Sequence, residues 1–279
     1  MSLLKTKFFK KLFRNPGTVI GLILFLLLVV IAFLAPLIAG DPIVQDTKIR
    51  LTAPSAQHWF GTDSLGRDVY ARVIHGTSIS LRLGFFVVIM SILLGSTVGL
   101  LAGLLGGIWD DILMRVTDVF LAFPSLILAM AISAALGRSL TNVMIAVAAV
   151  SWPIYARLMR AQVLTLKNQE FVAAARAIGA GGLRVALRHI LPNSLTPLMI
   201  QASFDIGRAI LTAAGLSFIG FGAQPPTPEW GAMVSDTRNF IGIAPWASSF
   251  PAIAILVTVL AFNLLGDGLR DVLDPRDYS

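Results

Sequence analysis

Cysteine is absent from all 279 residues, so a disulfide framework, a thiolate metal site and a thiol nucleophile are excluded together. Charge is scarce as well. Only 13% of the chain is Asp, Glu, Lys or Arg, against about 25% in an ordinary soluble domain. Hydrophobic residues make up 56% before any of the 24 glycines is counted, and the mean hydropathy is +0.80. Such a chain cannot cover a water-facing globule of its own size, which excludes a soluble enzyme. Disorder needs few hydrophobes and many charges, so it is excluded too. A lipid bilayer is the solvent these numbers describe. No Gly-x-x-x-x-Gly-Lys-[Ser/Thr] occurs, and no lysine follows a glycine, so the chain has no P-loop to hold ATP. The three histidines, His58, His75 and His189, have no metal-ligand spacing, and no metal site is expected.

The hydrophobic runs give an all-α polytopic membrane protein with six spans. Crossing the hydrocarbon takes roughly 20 apolar helical residues. The runs lie at Gly17–Ala39, Leu81–Gly107, Val116–Gly137, Leu140–Arg160, Asn193–Gly220 and Phe250–Gly266. The first follows Lys5, Lys7, Lys10, Lys11 and Arg14 and exceeds the about 7–15 apolar residues of a signal peptide, so it reads as an uncleaved anchor. With the N-terminus inside, six spans return the C-terminus inside. Charge placement agrees: fourteen basic residues fall in the cytoplasmic segments and six in the outer ones. The formal charge of +7 is therefore topogenic, with no nucleic acid partner expected.

Within the second run, Gly95, Gly99, Gly103 and Gly107 recur every fourth residue. Small residues at this spacing let two membrane helices approach closely, inside one bundle or at a subunit interface. Pro124, Pro153 and Pro197 each fall inside a span and are expected to kink it.

The polar insert 161–192 is too long to be an idle turn. Asn168 is a candidate cap for a helix with Phe171, Ala174, Ala175 and Ile178 on one face. Gly179 to Gly182 ends it. A second short helix over Leu183–Ile190 turns Leu183, Ala186, Leu187 and Ile190 one way and Arg184 and Arg188 the other, and Pro192-Asn193 stops it. The product is a small-sided basic knob, suited either to lipid headgroups or to a groove on a soluble partner.

The stretch Glu170-Phe-Val-Ala-Ala-Ala-Arg-Ala-Ile-Gly179, with His189-Ile-Leu-Pro192-Asn193 after it, resembles the EAA loop of ABC importer permeases. Aligned on Gly179, Ala173 stands where the pattern has glutamate, Ala174 and Ala175 keep its alanines, and His189 replaces isoleucine before Leu191 and Pro192. Four further segments are similar to the C-type subunit of the dipeptide/oligopeptide/nickel permease family. They are Phe60-Gly-Thr-Asp63-Ser-Leu-Gly-Arg67-Asp68, Gly215-Leu-Ser-Phe-Ile-Gly-Phe-Gly222, Pro228-Glu-Trp-Gly231, and Asn263-Leu-Leu-Gly-Asp267 running on to Asp274-Pro-Arg276.

The resemblance implies a type I ABC importer permease fold in a bacterial cytoplasmic membrane. Its divisions would be 1–79 (tail, first span and extracytoplasmic segment) and 80–279 (five spans with coupling loop 161–192). It implies a non-enzymatic half-pore paired with a homologous B-type permease. Two ATPase subunits would bind ATP and Mg, and an extracytoplasmic binding protein would deliver the solute. Coupling to the ATPases would fall to Glu170, Ala173, Ala174, Arg176, Gly179, Arg184, His189, Leu191 and Pro192. By the same resemblance, Asp63, Arg67 and Asp68 lie at the outer mouth, where a binding protein docks or a gate forms.

Charges inside a membrane are costly and default to functional suspects. Asp118 lies near the start of the third span, and Asp205 and Arg208 are one turn apart in the fifth. These three are candidate pore lining; the alternative is an ion pair that only holds the bundle. Di- and oligopeptides lead as solutes, followed by nickel or its chelates, glutathione, and sugars or opines. An ion-gradient transporter would use the same charges but leaves the basic knob unexplained. An intramembrane enzyme lacks His-Glu-x-x-His and Gly-x-Ser-x-Gly.

Overall fold

The computed structural model describes residues 15–273, with every helix below inside that range. The basic tail Lys5 to Arg14 and the stretch Asp274 to Arg276 lie outside the described residues. Helix α1 spans Pro16–Ile38, α2 Val69–Leu105, α3 Gly107–Ala122, α4 Ser125–Leu136, α5 Leu140–Leu166 and α6 Glu170–Ala177. Helix α7 spans Gly182–Ile219, α8 Trp230–Thr237 and α9 Trp246–Leu273. Five of these (α1, α2, α5, α7 and α9) are long and apolar enough to cross a bilayer.

Span three departs from its expected form. Helices α3 and α4 meet at 93° across Phe123 and Pro124 instead of forming one kinked rod. Proline lacks an N–H, and its ring disfavours helical geometry in the residue before it. Phe123 is accordingly extended (φ −91°, ψ 142°), and Pro124 begins a new helix. Span two also starts earlier than expected. Asp68 caps α2 by accepting from the Ala71 amide at 2.8 Å, so residues 69–80 are helical, and residues 79 and 80 lie within one helix with no boundary between them. At 37 residues, about 55 Å, α2 outreaches a hydrocarbon core of about 30 Å and carries its first turns into an outer cap.

The glycine ladder decides how the centre is built. A Cβ on Gly95 would lie 2.6 Å from the Cβ of Tyr155, on Gly99 2.9 Å from that of Met159, and on Gly103 2.7 Å from that of Val163. Three turns of α2 therefore lie backbone-close against α5 within this chain. Gly107 is not a rung: it begins α3 at φ +54°, with open space around it. Gly21 repeats the device between α1 and α9, where its Cβ would meet that of Leu264 at 2.7 Å. At the end of that seam, the Asn15 amide donates to Asp271 at 2.9 Å. The start of α1 and the end of α9 are thus on the same side of the bundle.

Substituting Gly99 with leucine drives a side chain into the Met159 turn and is expected to destabilise the purified protein by on the order of 3 kcal/mol. Gly215→Ala, at a position with nothing within 4 Å of the new Cβ, should leave stability within about 1 kcal/mol of the parent. Unfolding in mixed micelles measures both. Equal effects would contradict this packing scheme.

Candidate functional site

Three places gather the residues singled out in the sequence. The first is the knob. Gln169, rather than Asn168, occupies the cap of α6, and the Asn168 amide donates back to the Leu164 carbonyl. Val172 and Ala175 face inward, so the expected apolar face is rotated: Phe171, Ala174 and Ile178 point outward, with Ile178 88% exposed. Gly179 adopts φ +85° and ends the helix, a conformation that side-chain-bearing residues disfavour.

Pro192 does not stop the next helix. The turn Ala186–Ile190 widens to π geometry, with the Leu191 amide reaching the Ala186 carbonyl, and the Asn193 side chain donates to the His189 carbonyl. This wide turn absorbs the donor that Pro192 lacks. It also shifts the helix face. Val185, Ala186 and Ile190 are buried, whereas Leu183 (75% exposed) and Leu187 point outward with the arginines. Glu170, Ala173, Arg176, Arg184 and Pro192 are exposed, and His189 and Leu191 half-buried. Among the described residues, Glu170, Arg176 and Arg184 form no ion pair. One continuous helix therefore joins the knob to the Asp205–Arg208 pair, about 37 Å from Leu183 to Arg208.

The second place is the bundle interior. Asp205 is 5% exposed; its Oδ2 accepts from Gln201 Nε2 at 3.1 Å, and its Oδ1 lies 3.6 Å from the Arg208 guanidinium. Among the described residues, Asp205 Oδ1 and the buried Tyr155 hydroxyl have no hydrogen-bond partner. A cavity of about 60 Å³ opens here, lined among others by Ser91, Ser125, Ser151, Tyr155, Asp205 and Arg208. Asp118 is elsewhere: it pairs with Arg157 at 2.6 Å, and both side chains are exposed. With the Asp110–Arg160 fork (2.5 and 2.6 Å) this pair ties α3 to α5. The fork was not read in the sequence, since Arg160 closed a span there and Asp110 carried no motif.

The third place is the outer cap. Asp63 Oδ2 accepts from Arg67 Nε at 2.6 Å and lies 3.6 Å from Arg72 Nε. Arg67 also approaches Asp236 at 3.7 Å, and Arg72 donates to the carbonyls of Pro42 and Pro226 at 3.1 and 3.2 Å. Arg67 is 2% exposed and Asp63 is buried. Within this chain these two staple the 41–68 segment to the α8 region. Asp68 caps α2 and pairs with His58 at 2.7 Å. Glu229 caps α8, accepting from the Gly231 and Ala232 amides, and Trp230 donates to the Val73 carbonyl at 3.0 Å. Burial raises the Glu229 carboxyl above its ordinary range against the pull of those amides and of the Ser217 hydroxyl. Burial likewise raises Asp236, with Arg67 and Arg72 opposing. Of this cap, the sequence reading missed Arg72, Glu229 and Asp236. The Pro228-Glu-Trp-Gly231 motif was the available signal.

Residues 95–276 match the model of the binding-protein-dependent transport system inner membrane component, and residues 4–54 that of the N-terminal transmembrane domain of oligopeptide transport permease C. The chain belongs to the binding-protein-dependent transport permeases. It is 48% identical over 97% of its length to the dipeptide transport system permease protein DppC of Alkalihalophilus pseudofirmus, covering 90% of that relative. To the probable D,D-dipeptide permease DdpC of Escherichia coli it is 48% identical over 94%, covering 88%. To the glutathione permease GsiD of Pectobacterium atrosepticum it is 47% identical over 97%, covering 90%. The permease fold is shared with a chain of the inward-facing MetNI methionine ABC transporter: TM-score 0.59, 18% identity, covering 72% of this chain and 96% of that one. This permease is a multi-pass membrane protein with an ABC importer permease fold.

The raised Glu229 carboxyl gives the cap a signed pH dependence. A carboxyl with a folded pKa above its unfolded one contributes stability that is complete below the unfolded value and lost as pH rises through the folded value. Glu229→Gln has no such loss. The thermal-unfolding midpoint of the parent minus that of Glu229→Gln should fall as pH rises from below the ordinary glutamate value of about 4.3 to above it. A constant or rising difference would contradict the assignment.

Proposed function

We propose that this permease is one half of the translocation pore of an ATP-driven importer in the bacterial cytoplasmic membrane, with di- or oligopeptides as solute. It pairs with a homologous permease subunit, receives solute from an extracytoplasmic binding protein and is moved by two ATPase subunits that bind ATP and Mg. The observation that carries this reading is the knob: exposed Phe171 and Ile178 stand on and just after α6, and exposed Leu183 and Leu187 stand on the first turns of α7, the helix that carries Asp205 and Arg208. Exposed apolar side chains ringed by unpaired charge are what a docking groove covers. The missing P-loop leaves nucleotide chemistry to another polypeptide. Closure of an ATPase pair would shift the knob, and rigid α7 would carry the shift to the pore. The peptide assignment rests on the names of the dipeptide permease relatives. Glutathione is the second reading, favoured by a glutathione permease at nearly the same identity.

The test is reconstitution of the complete transporter in liposomes with labelled dialanine and labelled glutathione offered in parallel. Uptake of dialanine supports the first reading, and uptake of glutathione alone supports the second. In the same assay Ile178→Asp, which puts a charge into the docking surface, and Gly179→Val, which strains a φ of +85°, should each lower ATP-dependent uptake by roughly tenfold or more. Unchanged uptake in both would contradict the coupling role of the knob.

A further inference from the structure

Arg208 carries one of the charges embedded in the spans. Gln201, Asp205, Arg208 and Thr212 recur at i, i+4, i+7 and i+11 and form a polar stripe along one face of α7. Arg208 is 65% exposed in the second half of that helix, near the middle of the hydrophobic run 193–220. An exposed guanidinium does not face hydrocarbon at mid-membrane, so the stripe faces a hydrated path. Serines from three other helices, Ser91 of α2, Ser125 of α4 and Ser151 of α5, converge on the same cavity.

The donor inventory then separates the two charges. Arginine offers five N–H groups in a planar fork. Among the described residues Arg208 makes no hydrogen bond, and its nearest carboxylate oxygen is 3.6 Å away, beyond hydrogen-bond length. Asp205 is the opposite case: it is buried, one oxygen is held by Gln201, and the other is out of reach of solvent. Asp205 aims the guanidinium without occupying its donors.

We infer that Arg208 receives the carboxylate terminus of the solute in the pathway, with Asp205 as its positioning residue. The inference rests on the peptide reading above. A planar fork with free donors binds a carboxylate bidentately. A cavity of about 60 Å³ admits a terminal carboxylate but not a whole peptide. The permease therefore reads the end that all such solutes share and leaves their side chains in open space.

The test uses the purified complex of this chain with its partner permease and ATPases, without the binding protein. The probes are dialanine and dialanine amide at millimolar concentration, followed by saturation-transfer NMR. The wild-type complex should give a dialanine signal that falls roughly tenfold or more in Arg208→Gln, with Arg208→Lys in between because lysine keeps the charge but not the fork. Dialanine amide should bind weakly to all three complexes alike. No wild-type signal, an undiminished signal in Arg208→Gln, or an equal loss for both probes would overturn the inference. Failure of both variants to assemble would also overturn it, marking Arg208 as a structural pair for the partner subunit. If the binding-protein-fed wild type carries dialanine in the uptake assay while any of these results holds, only the role of Arg208 falls. If it carries none, the peptide reading falls with it.

Discussion

The close approach of α2 to α5 through Gly95, Gly99 and Gly103 is the constraint on which the remaining geometry depends. Lipid tails are as apolar as leucine, so burying hydrophobes cannot by itself hold membrane helices together. Backbone proximity supplies dispersion contacts instead. Once α2 lies this close to α5, Tyr155 is fixed beside α2 and faces the cavity with Ser91 and Asp205. The Gly21 seam then sets α1 on α9, and α9 packs on α7. The polar chamber is a by-product of tight packing around a few small residues.

Much of this was legible in the sequence, and what was not has identifiable causes. Five spans could be read because uncharged hydrophobic runs of roughly 20 residues read as membrane-crossing helices. The 93° break was not: Pro124 announces a kink in any helix, but its angle depends on what the neighbours leave free. Pro192 misled in the opposite sense, because a π turn absorbed the missing donor. That same turn rotated Leu183 and Leu187 outward. Period alone cannot register a wide turn, so the faces of the knob were misassigned although its position was right.

The charged residues divide along the same line. Asp205 and Arg208 sit one turn apart on one helix, so their pairing is local and readable. The Asp63–Arg67 staple is local too, with Arg72 beside it, but its burial depends on Asp236 and the chain around Pro226, more than 150 residues away. The gross charge balance gave the topology of a buried cluster's neighbourhood without revealing the cluster. Removing one member of such a cluster would cost several kcal/mol, about 3–5 by the usual scale of broken buried pairs, which fits a structural rather than a recognition role.

Mechanically, the permease reads as a lever. The second half of the knob (Leu183 to Ile190), the wide turn and the Asp205–Arg208 stripe belong to one helix, so force on the first reaches the last without crossing a loop. Its central claim is that this force comes from outside the chain. The most direct measurement is solute uptake into proteoliposomes holding the two permease subunits and the binding protein, with and without the ATPase subunits and ATP. Uptake against a gradient only when both are present is the predicted result. Accumulation without them, driven by a proton or sodium gradient, would contradict the account.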